Sequence, residues 1–259
     1  MQPCERAGGG GLEEWTRAVS LGASGSYAAA WSLLEDIERA SASAGEGALR
    51  SLALSTAASL DRQLGHYRRA AVRDGAAVQV ALIAGGETVR PGLADEAWCD
   101  AMTGLAADML GSFRIGAADA LLGRVQQRLG AAPAGTMWRQ RVRLSWVRAE
   151  RALFTGAGAS MIAVARGAVS ASVKAGSERH RIKSELILAA TLGADGHIGD
   201  SFDIGARCHR DATSAGLMPL AWASAMLLSS DPSPEQSRWW QERANAARQA
   251  IERRGGRFA

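Results

Sequence analysis

A turn pattern that recurs along the chain constrains its fold more than any other feature of the sequence. The pattern is a glycine, an aromatic residue two positions later and a small residue three positions after that. It is found at Gly25-x-Tyr27-x-x-Ala30, Gly65-x-Tyr67-x-x-Ala70 and Gly111-x-Phe113-x-x-Gly116. Gly156 and Gly196 continue the series, so the five glycines follow one another at intervals of 40 to 46 residues. A helical hairpin of this length cannot bury its apolar side alone and must stack on its neighbours.

Each of these glycines follows an apolar-periodic segment and precedes another, as expected of a residue that ends a helix at positive φ. The composition favours helix throughout, with only four Phe and two Tyr and no long run of Val, Ile or Thr. A last pair is predicted at 217–229 and 235–254, the second helix entered through Ser233-Pro234. We therefore predict an all-α chain wound as a right-handed α-solenoid of about six antiparallel helix pairs. An irregular helical bundle whose glycines only cap helices is the alternative, and the uneven intervals favour it.

The remaining organisation follows from composition. Residues 1–11 are Gly-rich and predicted to be a disordered tail, 12–254 a single helical-repeat domain and 255–259 a second tail. The start lacks the apolar core of a signal peptide, and no apolar run approaches the roughly 20 residues of a membrane span. Three widely separated cysteines, Cys4, Cys99 and Cys208, fit a reducing compartment. These features predict a cytoplasmic protein without a membrane partner.

The Gly-x-Tyr-x-x-Ala turn after a helix of small residues resembles the tetratricopeptide-repeat (TPR) family. The chain departs from that family in having repeats longer than the usual ~34 residues and in lacking the Trp-x-x-Leu-Gly start of the first helix. It is similar in this respect to the degenerate TPR-like proteins among bacterial regulators and chaperones. The resemblance implies a concave groove, lined by the first helix of each pair, that holds a peptide, a partner protein or a small ligand. It implies no catalysis.

Charge is the most uneven feature of the chain. Residues 137–185 carry a net charge of +7, whereas the whole chain carries +4. Alignment on the turn glycines predicts that charged and aromatic residues of neighbouring first helices face the groove; they are Trp98, Arg139, Arg143, Trp146, Arg148, Glu150, Arg179 and Lys183. A basic strip of this kind suits an acidic peptide, a carboxylate terminus or a phosphate backbone. A solvated face of ordinary arginines is the alternative. The short strip and the missing nucleic-acid motifs disfavour a nucleic acid.

The eight tryptophans are the second uneven feature. Most are expected to pack within or between repeats, while Trp15, Trp98 and Trp146 fall at or near groove positions in first helices. Trp239 and Trp240 cannot both face inward, because neighbours on a helix point about 100° apart. One of them is therefore predicted to be exposed or covered by a second copy of the chain. A homodimer through the last helix pair rests on this one argument.

Catalytic and metal-binding patterns are weak. The sequence has no HExxH, Gly-x-Ser-x-Gly or P-loop motif, and the glycine-rich turn at residues 156–160 follows a helix rather than a strand. The set His197, Asp200, Asp203 and His209 gives only a poor case for a metal. We therefore predict no enzyme, no cofactor and no metal. The sequence favours a module that binds a protein segment in a helical groove; the alternative is a ligand-sensing regulatory module for a small or phosphorylated molecule.

Overall fold

The structure is a computed structural model that describes residues 10–84 and 90–259. Most of the predicted disordered tail, residues 1–9, lies outside the described residues, and Gly10 and Gly11 already belong to the first helix. Within the described ranges the chain forms twelve α-helices and no strand, which confirms the all-α prediction. The helices are α1 (Gly10–Ala23), α2 (Tyr27–Ala44), α3 (Gly47–Gln63), α4 (Tyr67–Ile83), α5 (Leu93–Gly111), α6 (Ile115–Ala131), α7 (Trp138–Phe154), α8 (Ile162–Lys174), α9 (Glu178–Ala194), α10 (Ile198–Ser214), α11 (Met218–Leu228) and α12 (Pro234–Arg253). A 3₁₀ turn over Gly158–Met161 precedes α8.

Eight of the interhelical turns close in one way. In each, a residue two or three positions past the helix donates its backbone N–H to the carbonyl five residues back, at 2.7 to 3.1 Å, and the residue before the donor has positive φ. This is the Schellman motif, which satisfies carbonyls left over at a helix end. The residues at positive φ are Gly25, Gly45, Gly65, Phe113, Gly156, Gly176, Gly196 and Gly216. The glycines of this series follow one another every 20 residues from 25 to 65 and again from 156 to 216.

The third predicted turn differs from its neighbours. Gly111 is the last residue of α5, and the positive-φ position belongs to Phe113, with φ of 61°. The alignment of Gly111 with Gly25 and Gly65 is therefore wrong by two residues. The Phe113 side chain is 78% exposed. Gly111 has another role: a Cβ there would come within 2.2 Å of the Tyr67 ring, which lies against the α5 backbone.

The chain divides into two compact units. Unit 1 comprises the described residues up to Gly22, Ser26–Leu121 and Gly256–Ala259. In it α3 packs on α4, α4 on α5, and α3 on α5. Leu52 and Leu93 form an apolar cluster with alanines of α3, α4 and α5, and Trp98 packs against it. The C-terminal segment joins this unit through the Ala259 N–H, which donates to the Leu64 carbonyl at 2.8 Å.

Unit 2 comprises Ala23–Gly25 and Leu122–Gly255. Its helices pack in the order of the chain from α7 to α12, and alternate helices touch as well, α7 with α9 and α9 with α11. One apolar cluster joins Ala149 to Ile187, Leu188 and Leu192, and a second joins Ile182 to Cys208 and Ala221. Within each unit, the packing of consecutive helices is consistent with a helical solenoid.

One local prediction, at the start of α12, can be compared with the structure. Ser233 is the N-cap of α12 and accepts a hydrogen bond from the Gln236 N–H, with Pro234 in the first turn, as the sequence predicts. Among the described helices, none is both long and apolar enough to cross a membrane.

Candidate functional site

Helices α7 and α9 place most of the predicted site residues on one surface. Helix α7 buries apolar residues that include Val142 and Val147. Helix α9 buries apolar residues that include Ile187 and Leu192. The contacting residues move toward the C-terminus along both helices, from Trp138 with His180 to Trp146 with Ser184. The two helices therefore run parallel, each presenting its polar stripe beside that of the other.

Trp146 is fixed by two direct contacts and by a hydroxyl pair behind one of them. Its indole N–H donates to the Ser184 hydroxyl at 2.9 Å, and that hydroxyl lies 3.2 Å from the Ser172 hydroxyl of α8. Its ring also stacks on the His180 ring, with centroids 5.4 Å apart. Since Ser172 and Ser184 are fully buried, the indole is held on a rigid support. Trp146 therefore forms part of the floor of the surface.

His180 lies at the centre of the surface. Its Nδ1 is 2.7 Å from the Ser177 hydroxyl at the N-cap of α9, and the Trp138 ring meets it edge-on with centroids 5.1 Å apart. Burial, together with the positive charges of Arg179, Arg143 and Arg139, lowers the pKa of His180 to about 3. The imidazole is therefore neutral at physiological pH and is a weak general base.

The shift in the pKa of His180 also identifies the arginines that act on it. Arg139 and Arg143 come from one stripe of α7 and Arg179 from the first turn of α9, and all three act on the one imidazole. Each is half-buried. We call these three arginines, together with Trp138, Trp146 and His180, the α7–α9 basic face.

Three other predicted residues have different surroundings. The Lys183 ammonium lies 3.0 Å from a carboxylate oxygen of Glu150, so this pair closes one end of the face with no net charge. Arg148 donates to the Gln126 side chain of α6 at 2.9 Å and thus turns away from α9. Trp98 belongs to unit 1, where it packs against the cluster around Leu52 and Leu93. The structure therefore groups Arg139, Arg143, Trp146, Glu150, Arg179 and Lys183 and leaves Arg148 and Trp98 elsewhere.

Arg181, two residues after Arg179, forms ion pairs with two carboxylates. Its guanidinium lies 2.8 Å from Glu185 and 2.9 Å from Asp211, which raises its pKa, chiefly through the hydrogen bond to Asp211. The link to Glu185 follows the helical i, i+4 rule, whereas the link to α10 leaves no local signal in the sequence. Arg181 joins α9 to α10 and is not part of the basic face.

Unit 1 contains a charged group that sequence reasoning missed. The Arg62 side chain donates to Asp74 at 2.9 Å, to Asp108 at 2.6 Å and to the Gly104 carbonyl at 2.8 Å. Both aspartates are fully buried. Burial raises the pKa of Asp108 to about 8, with Arg62 opposing the shift and Asp74 adding to it. We call Arg62, Asp74 and Asp108 the Arg62 network. It ties α3, α4 and α5 together, and its members lie too far apart in sequence to suggest a pair.

The C-terminal tryptophans follow the helical geometry. Trp239 is 40% exposed and carries the Arg243 guanidinium 3.1 Å from its ring centroid. Trp240 is half-buried and meets two rings edge-on, that of Trp239 with centroids 4.4 Å apart and that of His209 with centroids 5.1 Å apart. The prediction that one of the two is exposed is confirmed. A homodimer through α11 and α12 stays a prediction, which light scattering on the wild type and Trp239→Ala would test.

Other reactive groups do not assemble into a site. Within residues 10–84 and 90–259, no group of three His, Cys, Asp or Glu side chains is placed to hold a metal ion. Cys99 and Cys208 are buried free thiols, and burial raises the pKa of Cys208 to about 12. A thiol with that pKa is protonated and a poor nucleophile near neutral pH.

Comparison of the chain with protein-family models, curated proteins and solved structures finds no match to any of them.

Proposed function

We propose that this protein is a non-enzymatic interaction module that binds an acidic segment of a partner protein on the α7–α9 basic face. In this proposal the chain is a right-handed, TPR-like solenoid of about six helix pairs, working in the cytoplasm with its first helices lining a concave surface. One observation carries the proposal. Arg139, Arg143 and Arg179 gather around a neutral imidazole on a surface whose aromatic floor is fixed from below.

The charge of the face favours an anionic partner. Three guanidinium groups all lower the pKa of one histidine, so the electrostatic potential at that imidazole is positive and favours a bound carboxylate. Guanidinium groups also bind carboxylates through two parallel hydrogen bonds, which gives geometric selectivity as well as energy. Half-burial strengthens such contacts, because nearby protein lowers the local dielectric constant.

The aromatic floor favours a protein segment over a diffuse polyanion. The rings of Trp138 and Trp146 both contact the His180 ring, so a bound chain meets a preorganised apolar surface between its carboxylate anchors. Fixed aromatic side chains flanked by arginines are typical of the residues that dominate the energy of protein interfaces. A nucleic-acid backbone would use the arginines and leave this surface without a role, since no motif for reading bases accompanies it.

Charge reversal tests the proposal. The variant Arg139→Glu, Arg143→Glu, Arg179→Glu is compared with a control that reverses three exposed arginines on other helices of unit 2, Arg124, Arg166 and Arg210. Partners are first captured from the native cytosol with wild type, and each is then purified and titrated. We expect the face variant to weaken binding by about 100-fold or more, because each lost charge pair contributes on the order of 1 kcal/mol or more. The control should bind within a factor of a few of wild type.

Two further measurements make the result decisive. Binding should weaken as salt rises, because exposed charge pairs are screened. It should also weaken when Asp and Glu of the partner segment are replaced by Asn and Gln. Both variants should keep the helical circular dichroism of wild type. Equal binding by the wild type and the face variant, or equal losses in face variant and control, would contradict the proposal.

A further inference from the structure

Helix α4 presents an apolar face to solvent. Val72 is 75% exposed, Leu82 60% and Ile83 86%. Residues 75–84 contain no charged side chain. The exposed side of α10 carries charged residues instead; they are Asp200, Asp203, Arg207 and Arg210. A contiguous apolar patch that is exposed on a folded domain is typical of an interaction surface.

The residues of this face follow the spacing of a coiled-coil seam. Val72, Gly75, Gln79 and Leu82 follow one another at intervals of three, four and three residues. Residues at this spacing form one narrow stripe along a helix, and in coiled coils that stripe packs against a partner helix. We call these four residues the α4 seam, which is ~15 Å long. Ile83 lies beside it. A stripe of this shape fits another helix.

The inward face of α4 anchors the helix to its neighbours in unit 1. Ala77 packs with Leu54 of α3 and Ala101 of α5, and Ala81 packs in the cluster that contains Leu93. Both alanines are buried. The seam is therefore presented on a fixed support, and its side chains need no rearrangement to meet a partner helix.

Gly75 leaves a gap in the middle of the seam. A Cβ at this position would have no atom within 4 Å, so no close neighbour in the described residues requires glycine there. Glycine inside a helix is less favourable than alanine. The gap can admit a long side chain from a partner helix. Gln79, one turn further along the seam, is exposed and has the length to fill such a gap.

The seam is complementary to itself when two copies pair in antiparallel orientation. Position 72 of one copy then faces position 82 of the other, and position 75 faces position 79. Val72 meets Leu82, and Gln79 enters the gap at Gly75, and two-fold symmetry repeats both contacts. In a parallel pair Gly75 would face Gly75 and leave the gap empty. A polar residue at a seam position such as Gln79 also fixes the register of the two helices.

The charge at the start of α4 favours the same orientation. Arg68 is exposed one turn before Val72. In the antiparallel pair it lies beside the C-terminal end of the other copy's α4, where the last carbonyl groups carry partial negative charge. A parallel pair would instead bring the two Arg68 side chains together. Charge, shape and register therefore favour a second copy of this chain as the occupant.

We propose that two copies of this protein associate through antiparallel pairing of their α4 seams. Each copy contributes one helix of 17 residues. One helix pair buries an area at the low end of specific interfaces, so we expect a reversible dimer with a Kd on the order of 10 to 100 µM. This contact does not involve the α7–α9 basic face, and it is distinct from a homodimer through α11 and α12.

Complementary charges test the pairing. Sedimentation of the wild type from about 1 to about 500 µM should show a monomer–dimer equilibrium. Val72→Glu and Leu82→Lys should each weaken association at least about tenfold, because each buries a charge without a partner. An equal mixture of the two variants should recover association. In the mixed pair the introduced carboxylate faces the introduced ammonium on one side, and the native contact of Val72 with Leu82 remains on the other.

Val173→Glu is the matched control, at a valine of α8 that is 57% exposed. It should associate as wild type, and so should Trp239→Ala and the triple charge-reversal variant of the basic face. All variants should keep the helical circular dichroism of wild type, because the substituted side chains are exposed or half-buried.

Three results would overturn the proposal. One is a wild type that stays monomeric over the whole concentration range. The second is a mixture of Val72→Glu and Leu82→Lys that associates no better than either variant alone, which would exclude the antiparallel register. The third is a dimer that Trp239→Ala disrupts and Leu82→Lys leaves intact, which would place the contact at α12.

Discussion

Unit 1 and unit 2 use arginine in opposite ways at comparable places in their packing. Both the Arg62 network and the α7–α9 basic face lie where alternate helices meet, α3 with α5 in one unit and α7 with α9 in the other. In unit 1 a single guanidinium reaches two fully buried carboxylates and a carbonyl. In unit 2 the charges of three half-buried arginines lower the pKa of one neutral histidine. The first arrangement is a buried ion-pair network, and the second places arginines at a half-buried surface.

Under the proposed function, the two units separate structural support from recognition. A buried ion pair is costly to desolvate, and breaking it by removing one partner leaves an uncompensated buried charge. Charges at a half-buried surface carry a smaller desolvation cost and remain accessible to a ligand. We therefore interpret the Arg62 network as structural and the basic face as the recognition surface.

The largest effect is expected when Arg62 is removed. Arg62→Met leaves Asp74 and Asp108 buried without their cation and should lower the free energy of unfolding by about 3 to 5 kcal/mol, measured by urea denaturation. Replacing both aspartates by Asn in the same chain should recover part of the loss, because the uncompensated charge is then gone. A loss below about 1 kcal/mol for Arg62→Met would mean that the two units do not differ in this way.

Gly111 gives the next largest effect. A Cβ at this position would meet the Tyr67 ring, so Gly111→Ala should destabilise unit 1 by about 1 to 3 kcal/mol through overpacking. Gly116, in α6, has no atom within 4 Å of such a Cβ. Gly116→Ala should therefore be neutral or stabilise by up to about 1 kcal/mol, since alanine favours helix. Equal effects at both glycines would contradict the close approach of Tyr67 to α5.

The two units should respond to pH with opposite signs. The pKa of Asp108 is raised from 3.8 to about 8, so the native state holds this proton more tightly than the unfolded chain. Its contribution to stability is full below pH 4 and is lost as the pH rises through 8. The pKa of His180 is lowered from 6.5 to about 3, so its contribution is full above pH 6.5 and is lost as the pH falls through 3.

Hydrogen exchange across this range separates the two units. Protection of α5 should fall at alkaline pH and protection of α9 at acidic pH. Asp108→Asn should remove the first dependence, and His180→Gln should remove the second. The same direction of change in both helices would contradict the assigned charge states.

The sequence predicts more of the helical architecture than of the sites. Helical periodicity and recurring glycines predict the turns at Gly25, Gly65, Gly156 and Gly196, because a helix end at positive φ is a local event that leaves a local mark. The same reasoning placed the third turn at Gly111, since nothing in a sequence announces that a phenylalanine will adopt a conformation usually reserved for glycine.

The two charged sites also differ in whether they leave a local signal in the sequence. The basic face was found because its arginines raise the local charge of residues 137–185, and helical spacing groups Arg139 with Arg143. The Arg62 network was missed because Arg62, Asp74 and Asp108 lie on three helices and each resembles an ordinary surface charge. Tertiary packing alone brings them together.

The smallest effect is expected at Arg143, and it separates a recognition role from a structural one. Arg143→Gln removes a cation that lowers the pKa of His180, so that pKa should rise, which NMR titration of the imidazole measures. Stability should change by no more than about 0.5 kcal/mol, because the loss of any contact of its own is offset by relief of repulsion from Arg139 and Arg179. Arg181→Gln, whose arginine pairs with Glu185 and Asp211, should cost more stability and leave the pKa of His180 nearly unchanged. A large loss of stability for Arg143→Gln would place it with Arg62 among the structural arginines. A small loss with a raised histidine pKa would leave its charge available for a partner.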